Sequence, residues 1–280
     1  MKYIDLHTHS RYSDGSLTPR ELVSRAAAKN LSAISLTDHD SVDGVEEALA
    51  EGKRLGVEVI PGVELSAISD TETHILGYFI DIYNKELLSA LEFSKKVREE
   101  RESETCKKLN ELGFDISPDE VKAKAGGGII CRAHFAAVMV EKGYVVSVRE
   151  AFNKYLNSGK AGYSGKQALT DTEAVSVINK AGGVAFLAHL HLTKKPMDEL
   201  KRFIKRLKSE GLAGIEGYYT DYTPQMEDDY LRLANELGLL VSGGTDYHGS
   251  FKPHIEIGTG LGNLKIPYLI IKQIKEWSLK

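Results

Sequence analysis

Apolar residues in this chain fall into short runs separated by longer amphipathic stretches. The runs Tyr3–Leu6, Ala33–Leu36, Glu58–Ile60, Val184–Leu187, Gly214–Ile215 and Leu239–Val241 read as short buried strands. Between them, apolar positions recur at helical spacing over Glu21–Lys29, Val42–Leu55, Glu173–Lys180, Met197–Lys208 and Gln225–Leu237. Three helix starts carry their own signal. Thr18-Pro19-Arg20-Glu21 and Ser117-Pro118-Asp119-Glu120 offer a capping hydroxyl, a proline at the first helical position and a glutamate three residues on. Thr170-Asp171-Thr172-Glu173 keeps that chemistry without the proline. Strand alternating with helix predicts a mainly parallel sheet with crossover helices, an α/β fold.

The middle of the chain breaks this rhythm. Glu86–Leu112 reads as one long charged helix, Ser117–Ala125 as a short one, and Gly126-Gly127-Gly128 as a flexible turn. Arg132–Lys142 and Val148–Leu156 look helical again, and no strand pattern stands out between about Asp81 and Gly162. The expectation is a barrel-forming domain over 1–80 and 163–280 with a small all-helical insertion, or lid, over 81–162. Ordinary crossover helices are the alternative.

Composition narrows the function. The 280 residues are 42% hydrophobic and 27% charged, enough for a sizeable core. No apolar run approaches the ~20 residues of a membrane span, and the N-terminus lacks a secretory apolar region. Cys106 and Cys131 are the only cysteines, which suits small packing residues in a reducing, cytoplasmic setting. A net charge of −4 argues against coating nucleic acid through its phosphates, though not against a basic pocket for one phosphate.

The nine histidines carry the main chemical signal. His7 and His9 follow the first strand at a spacing of two, which points both imidazoles to one side. Asp14 follows in a glycine-containing loop. The second strand ends in Thr37-Asp38-His39-Asp40, the third in Pro61-Gly62-Val63-Glu64, and Thr73–Tyr78, with His74, opens or forms a fourth. Later runs lead to Ala188-His189, to Glu216, and to Asp246-Tyr247-His248. In a barrel-like α/β fold, strand C-termini converge on one face, so these residues should meet there. Histidine and carboxylate donors suit Zn, Mn or Fe.

In order and spacing, His7-x-His9, Asp14, Thr37-Asp38-His39, Gly62-Val63-Glu64, His74, Ala188-His189 and Asp246-x-His248 resemble the polymerase and histidinol phosphatase (PHP) family. The resemblance runs from end to end of the chain. It implies a distorted (β/α)7 barrel with two to three divalent ions, Mn, Zn or Fe, at the strand C-termini. It further implies that His7, His9, Glu64 and Asp246 hold one ion, that Glu64 bridges to a second held by His74 and His189, and that Asp14, His39 and His248 hold a third. Arg132-Ala133-His134-Phe135-Ala136, Glu141-Lys142-Gly143-Tyr144 and Gly162-Tyr163…Lys166 are similar to a subgroup of 3',5'-nucleotide bisphosphate phosphatases and 5'–3' exoribonucleases. Ala133 and Leu190 stand where the family usually has proline, and neither change removes a ligand.

The expected activity is metal-dependent hydrolysis of a nucleotide or RNA 5' end by a metal-bridging hydroxide, with phosphate as product and no membrane partner. Arg132, His134 and Lys166 are the expected phosphate contacts. The catalytic set would be Glu64, Asp246, His248 and His191. The proton for the leaving group is left to a metal-bound water, His191 or His248. Asp38 and Asp40 read as groups that orient ligands, and the charged run Lys95–Lys108 as a solvated helix face. Two rival readings are a histidinol-phosphate phosphatase and a non-catalytic metal-binding regulatory domain; the latter should have lost ligands, and none is missing.

Overall fold

A computed structural model describes residues 2–68, 72–165 and 168–278. Its strands are β1 (Ile4–Thr8), β2 (Ala33–Leu36), β3 (Glu58–Ile68), β4 (Glu72–Tyr78), β5 (Leu169–Thr170), β6 (Val184–Leu187), β7 (Gly214–Tyr219) and β8 (Leu240–Gly244). The sheet runs in the order β1-β2-β3-β4-β6-β7-β8, with β5 beside β3. Its two ends meet just past β8. Asp246 N–H donates to the His7 carbonyl at 2.9 Å, and His9 N–H donates to the Tyr247 carbonyl at 3.0 Å. The sheet therefore curls into a nearly closed, distorted barrel, as expected. Closure needs a residue without a side chain at the seam, since a Cβ on Gly244 would lie 2.3 Å from the His7 Cβ. Asp5 fastens the same seam, accepting from Thr245 N at 2.9 Å, Thr245 Oγ1 at 2.6 Å and Gly258 N at 2.8 Å.

The helices are α1 (Pro19–Ala28), α2 (Val45–Leu55), α3 (Lys85–Glu111), α4 (Pro118–Ala125), α5 (Arg132–Glu141), α6 (Val148–Ala151), α7 (Asp171–Lys180), α8 (Met197–Ser209), α9 (Pro224–Leu237) and α10 (Leu269–Ser278). The capping boxes of α1, α4 and α7 form as the sequence predicts. Among the described residues no helix is long and apolar enough to cross a membrane.

Three features differ from the sequence reading. First, β3 continues well past its apolar run, and β4 runs antiparallel to both β3 and β6. The connection between β3 and β4 is far too short for a crossover helix, so the pair is a hairpin inside an otherwise parallel sheet. Second, α10 was not anticipated, because the run Leu269-Ile270-Ile271 has no clear helical period. Its Ile270, Ile271 and Ile274 share one buried cluster with Ile4, Leu6, Ile60 and Phe186. Third, the segment read as helix over Val148–Leu156 finishes as a π-helical turn, Phe152–Leu156.

The helical middle has a core of its own. Leu109, Val121, Phe135, Met139 and Leu156 form a cluster apart from the barrel's. The 27 residues of α3, about 40 Å long, join the two, with Leu87 and Leu91 in the barrel's cluster and Leu109 in the helical one. The charged run on α3 is not a solvated face throughout: Arg98, Arg101 and Glu102 are buried. Arg98 and Arg101 bring positive charge from the helical segment to the barrel's strand ends.

Candidate metal centre

The strands expected to deliver histidines and carboxylates bring them together on one face. β1 supplies His7, with His9 just beyond it. His39 follows β2, Glu64 lies on β3, His74 on β4, His189 two residues after β6, and Asp246 and His248 after β8. Three of the turns that aim these groups use left-handed backbone at non-glycine residues: Asp40 at φ 48°, His189 at φ 23° and Asp246 at φ 54°. Such conformations persist only where the surroundings over-determine them, and they cluster at functional sites.

Glu64 is the hub and is fully buried. Its Oε2 lies 3.2 Å from His7 Nε2, 3.2 Å from His9 Nε2 and 3.1 Å from His39 Nδ1. Its Oε1 lies 2.8 Å from His74 Nδ1 and 3.0 Å from His189 Nε2. Asp246 Oδ1 lies 3.1 Å from His9 Nε2 and 3.4 Å from His7 Nε2. Asp14 Oδ1 lies 3.1 Å from His248 Nε2 and 3.8 Å from both His9 Nδ1 and His39 Nε2. The donor atoms fall into three overlapping groups: His7, His9, Glu64 and Asp246; His9, Asp14, His39 and His248; and His39, Glu64 and His74. His189 stands beside these groups on the Oε1 side of Glu64, while His9 and His39 each belong to two of them.

The donor atoms fit divalent ions on two counts. His9 Nε2, Asp14 Oδ1 and His39 Nδ1 are buried without a hydrogen bond, although charged atoms stand beside them. Each of these residues has a donor atom within 4.8 Å of the other donor atoms of its group, close enough to share an ion. In addition, two donors each about 2.1 Å from one ion and about 90–110° apart lie about 3.0–3.4 Å from each other, the range seen around Glu64 Oε2 and Asp246 Oδ1.

Electrostatics keeps the carboxylates ionised. Burial pushes Glu64 up, but His39, His7 and His74 outweigh it and hold the group well below the usual carboxylate range. Burial likewise opposes Asp246 and Asp14, and the cations around them reverse it: Lys252, His248 and His7 for the first, His248, His39 and His9 for the second. Burial lowers His9, but Asp246 and Glu64 lift it to about 9.

A second layer fixes the ring orientations. Glu216 Oε1 accepts from His7 Nδ1 at 2.8 Å, and its Oε2 accepts from His189 N–H at 2.7 Å. The bond at Nδ1 turns His7 Nε2 toward Glu64 and Asp246, and with an ion bound the ring would keep its one proton on Nδ1 and offer Nε2 as the donor. His248 Nδ1 donates to the Asp246 carbonyl at 2.7 Å, which turns its Nε2 toward Asp14. Asp38 accepts from Ser10 N at 2.8 Å, Ser10 Oγ at 2.6 Å and Ser13 Oγ at 2.6 Å, and so holds the loop between His9 and Asp14. Asp40 accepts from Ser66 N at 2.8 Å and Arg98 Nε at 2.7 Å, which ties the end of β2 to β3 and α3.

Beside the cluster lies a chamber of about 50 Å³, lined on the barrel side by Asp14, His39 and His74 and on the helical side by Arg98, Arg101 and Arg132. Arg132 stacks over Phe152 and Tyr163, with its guanidinium 5.7 and 5.5 Å from the ring centres, and donates to the Leu156 carbonyl at 3.4 Å. His134 is buried and caps α5: its Nδ1 accepts from Cys131 N–H at 3.0 Å, which leaves the ring proton of the neutral form on Nε2. Lys166 lies outside the described residues. His191 packs against Tyr219 and Tyr222, and burial, aided by nearby His189, takes it down to about 4, which disfavours its protonated form.

The sequence places Glu216 at a strand end without giving it a role, leaves Tyr219 and Lys252 unmarked, and favours a solvated face over a reach into the pocket for Arg98 and Arg101. Arg98 and Arg101 sit three apart on a charged helix, which looks like a solvated face until the partner surface is known. Lys252 lies in a loop with no period to mark it.

The PHP domain signature matches residues 5–256. A 5'-3' exoribonuclease of Haemophilus influenzae is 34% identical over 248 residues, 88% of this chain and 90% of that protein. A 3',5'-nucleoside bisphosphate phosphatase of Chromobacterium violaceum is 34% identical over 260 residues, 92% of this chain and 91% of that protein. Among solved structures, an amidohydrolase from Chromobacterium violaceum with bound sulfate and no metal superposes with a TM-score of 0.90 at 32% identity, covering 98% of this chain and 96% of that one.

Proposed function

The chain belongs to the PHP domain family, and from that premise we propose that it is a metal-dependent phosphoesterase acting at the 5' end of a nucleotide or short RNA. The observation that carries this reading is the pairing of two features: a buried His and carboxylate cluster around Glu64, and an arginine-lined chamber opening beside it. Two to three ions, Mn, Zn or Fe, suit the donors. His7, His9, Glu64 and Asp246 would hold one; Glu64, His74 and His189 would hold a second; Asp14, His39 and His248 would hold a third. When bound, the ions supply Lewis acidity and lower the pKa of the attacking water.

The protein's own groups do the rest. Glu216 and the Asp246 carbonyl set the ring orientations of His7 and His248. Arg132, held by Phe152 and Tyr163, reaches toward a phosphate from the helical side, and His134 presents an N–H on the same side. Residues 81–162 then act as a lid that brings these contacts to the barrel. A 3',5'-bisphosphonucleotide and a 5'-phosphorylated RNA share one pattern: a 5'-phosphate as handle and an ester at the 3'-oxygen to cleave. Water adds to the phosphorus, the bond from phosphorus to the 3'-oxygen breaks, and that oxygen takes up a proton. From the bisphosphonucleotide the products are phosphate and a nucleoside 5'-phosphate. His191, neutral and packed among tyrosines, is a poor source of that proton.

The test is phosphate or nucleotide release from 3',5'-bisphosphoadenosine, 5'-phosphorylated RNA, its 5'-hydroxyl counterpart and histidinol phosphate. The reading expects turnover of the first two and much weaker turnover of the others. Preference for histidinol phosphate, or indifference to the 5'-phosphate, would overturn it.

A further inference from the structure

Asp246 is held on both sides. Its Oδ1 faces His7 Nε2 and His9 Nε2, while its Oδ2 accepts from the Tyr219 hydroxyl at 2.8 Å and from Lys252 Nζ at 2.6 Å. Its backbone is locked too, in the left-handed region, with its N–H bonded to the His7 carbonyl. Tyr219 is 3% exposed and packs between the His7, His189 and His191 rings, so its hydroxyl has little freedom to leave. Lys252 follows the turn Gly249–Phe251, which starts right after His248.

We propose that Tyr219 and Lys252 are positioning residues that occupy one oxygen of Asp246 and restrict it to single-oxygen metal ligation. This rests on the proposed metal centre. The physical reasoning has two parts. A carboxylate with both oxygens free can grip a divalent ion through both and fill a position that a catalytic ion needs open for water or substrate. An ammonium beside the carboxylate also repels the ion and draws charge from the ligand, which weakens binding. Lys252 and Tyr219 therefore exchange metal affinity for an open coordination position. A purely structural lysine would do the opposite, since its loss would loosen the site.

The experiment is a Mn(II) titration of the metal-stripped full chain against a chromophoric chelator. It uses the wild type, Lys252→Met, Lys252→Arg and Tyr219→Phe, each checked for folding by circular dichroism. Turnover of 3',5'-bisphosphoadenosine at saturating Mn(II) is measured beside it. Lys252→Met is expected to bind its tightest Mn(II) about tenfold more strongly and to turn over more slowly. Tyr219→Phe should shift both in the same direction by less, and Lys252→Arg, which keeps the charge, should stay near wild type. Unchanged or weaker affinity in Lys252→Met overturns the proposal, as does tightening in Lys252→Arg equal to that in Lys252→Met. Should Lys252→Met fail to fold, Tyr219→Phe decides alone: tighter binding supports the proposal, and unchanged or weaker binding overturns it. A wild type that binds no Mn(II) refutes the metal centre itself, a result distinct from any of these.

Discussion

Replacing Glu64 with glutamine keeps the size and shape of the side chain and one carbonyl oxygen, but removes the charge that five histidine rings face within 3.2 Å. Two of the three donor groups contain Glu64 and one does not. Metal content in Glu64→Gln should therefore fall toward the single group formed by His9, Asp14, His39 and His248, and not to zero. Outer-shell partners of metal ligands typically cost about 10–100-fold when removed. A ligand shared by two groups must exceed that, so turnover should fall by more than about 100-fold, or about 2.8 kcal/mol in the transition state. The assays are elemental analysis of the metal-loaded variant and kcat/KM on 3',5'-bisphosphoadenosine. Full metal content with near-normal turnover would refute the reasoning. So would complete metal loss in a folded protein, because the Glu64-free group would then have no independent standing.

Other outcomes follow from the same geometry. Arg132→Ala should lower kcat/KM on 3',5'-bisphosphoadenosine by about 10–100-fold, the worth of one hydrogen bond to a charged group, and hardly affect a small aryl phosphate; an equal loss on both would place Arg132 at the reaction centre or in the structure. Glu216→Gln removes no ligand but loosens His7, so metal affinity should drop about 10–100-fold, read by chelator competition; unchanged affinity would contradict the orienting role. Asp5→Asn replaces one acceptor oxygen at the barrel seam with a donor, leaving buried donors unpaired. It should cost about 2–3 kcal/mol in urea unfolding of the metal-free protein, and a change under about 0.5 kcal/mol would show that the seam is held by other groups.

The barrel's outline was readable because each strand is a short apolar run bounded by capping signals, and the His and carboxylate cluster was readable because its members stand at the ends of those runs. His7, His9, His39 and Glu64 stood out by their place at strand ends, while their division among ions came from the family resemblance. The antiparallel course of β4 was less accessible, since strand direction depends on the length of the connection and the apolar run marks only the first part of β3. The groups that hold the ligands in place were harder still. Glu216 hydrogen-bonds His7 across 209 positions of sequence, and Lys252 reaches Asp246 from a loop without period. Arg98 and Arg101 belong to a helix whose charge suggests solvent, yet the barrel mouth buries them. Local pattern records which residues carry chemistry, whereas contacts between distant segments decide how those residues are oriented.

The central claim is that hydrolysis depends on divalent ions held by the Glu64 cluster. Its most direct test is to strip the full chain with chelator, then restore Mn(II) stepwise while following both bound metal and hydrolysis of 3',5'-bisphosphoadenosine. The account predicts no turnover in the stripped protein and recovery that tracks the binding of two to three ions per chain. Turnover that survives complete stripping, or that stays absent with all ions bound, would contradict it.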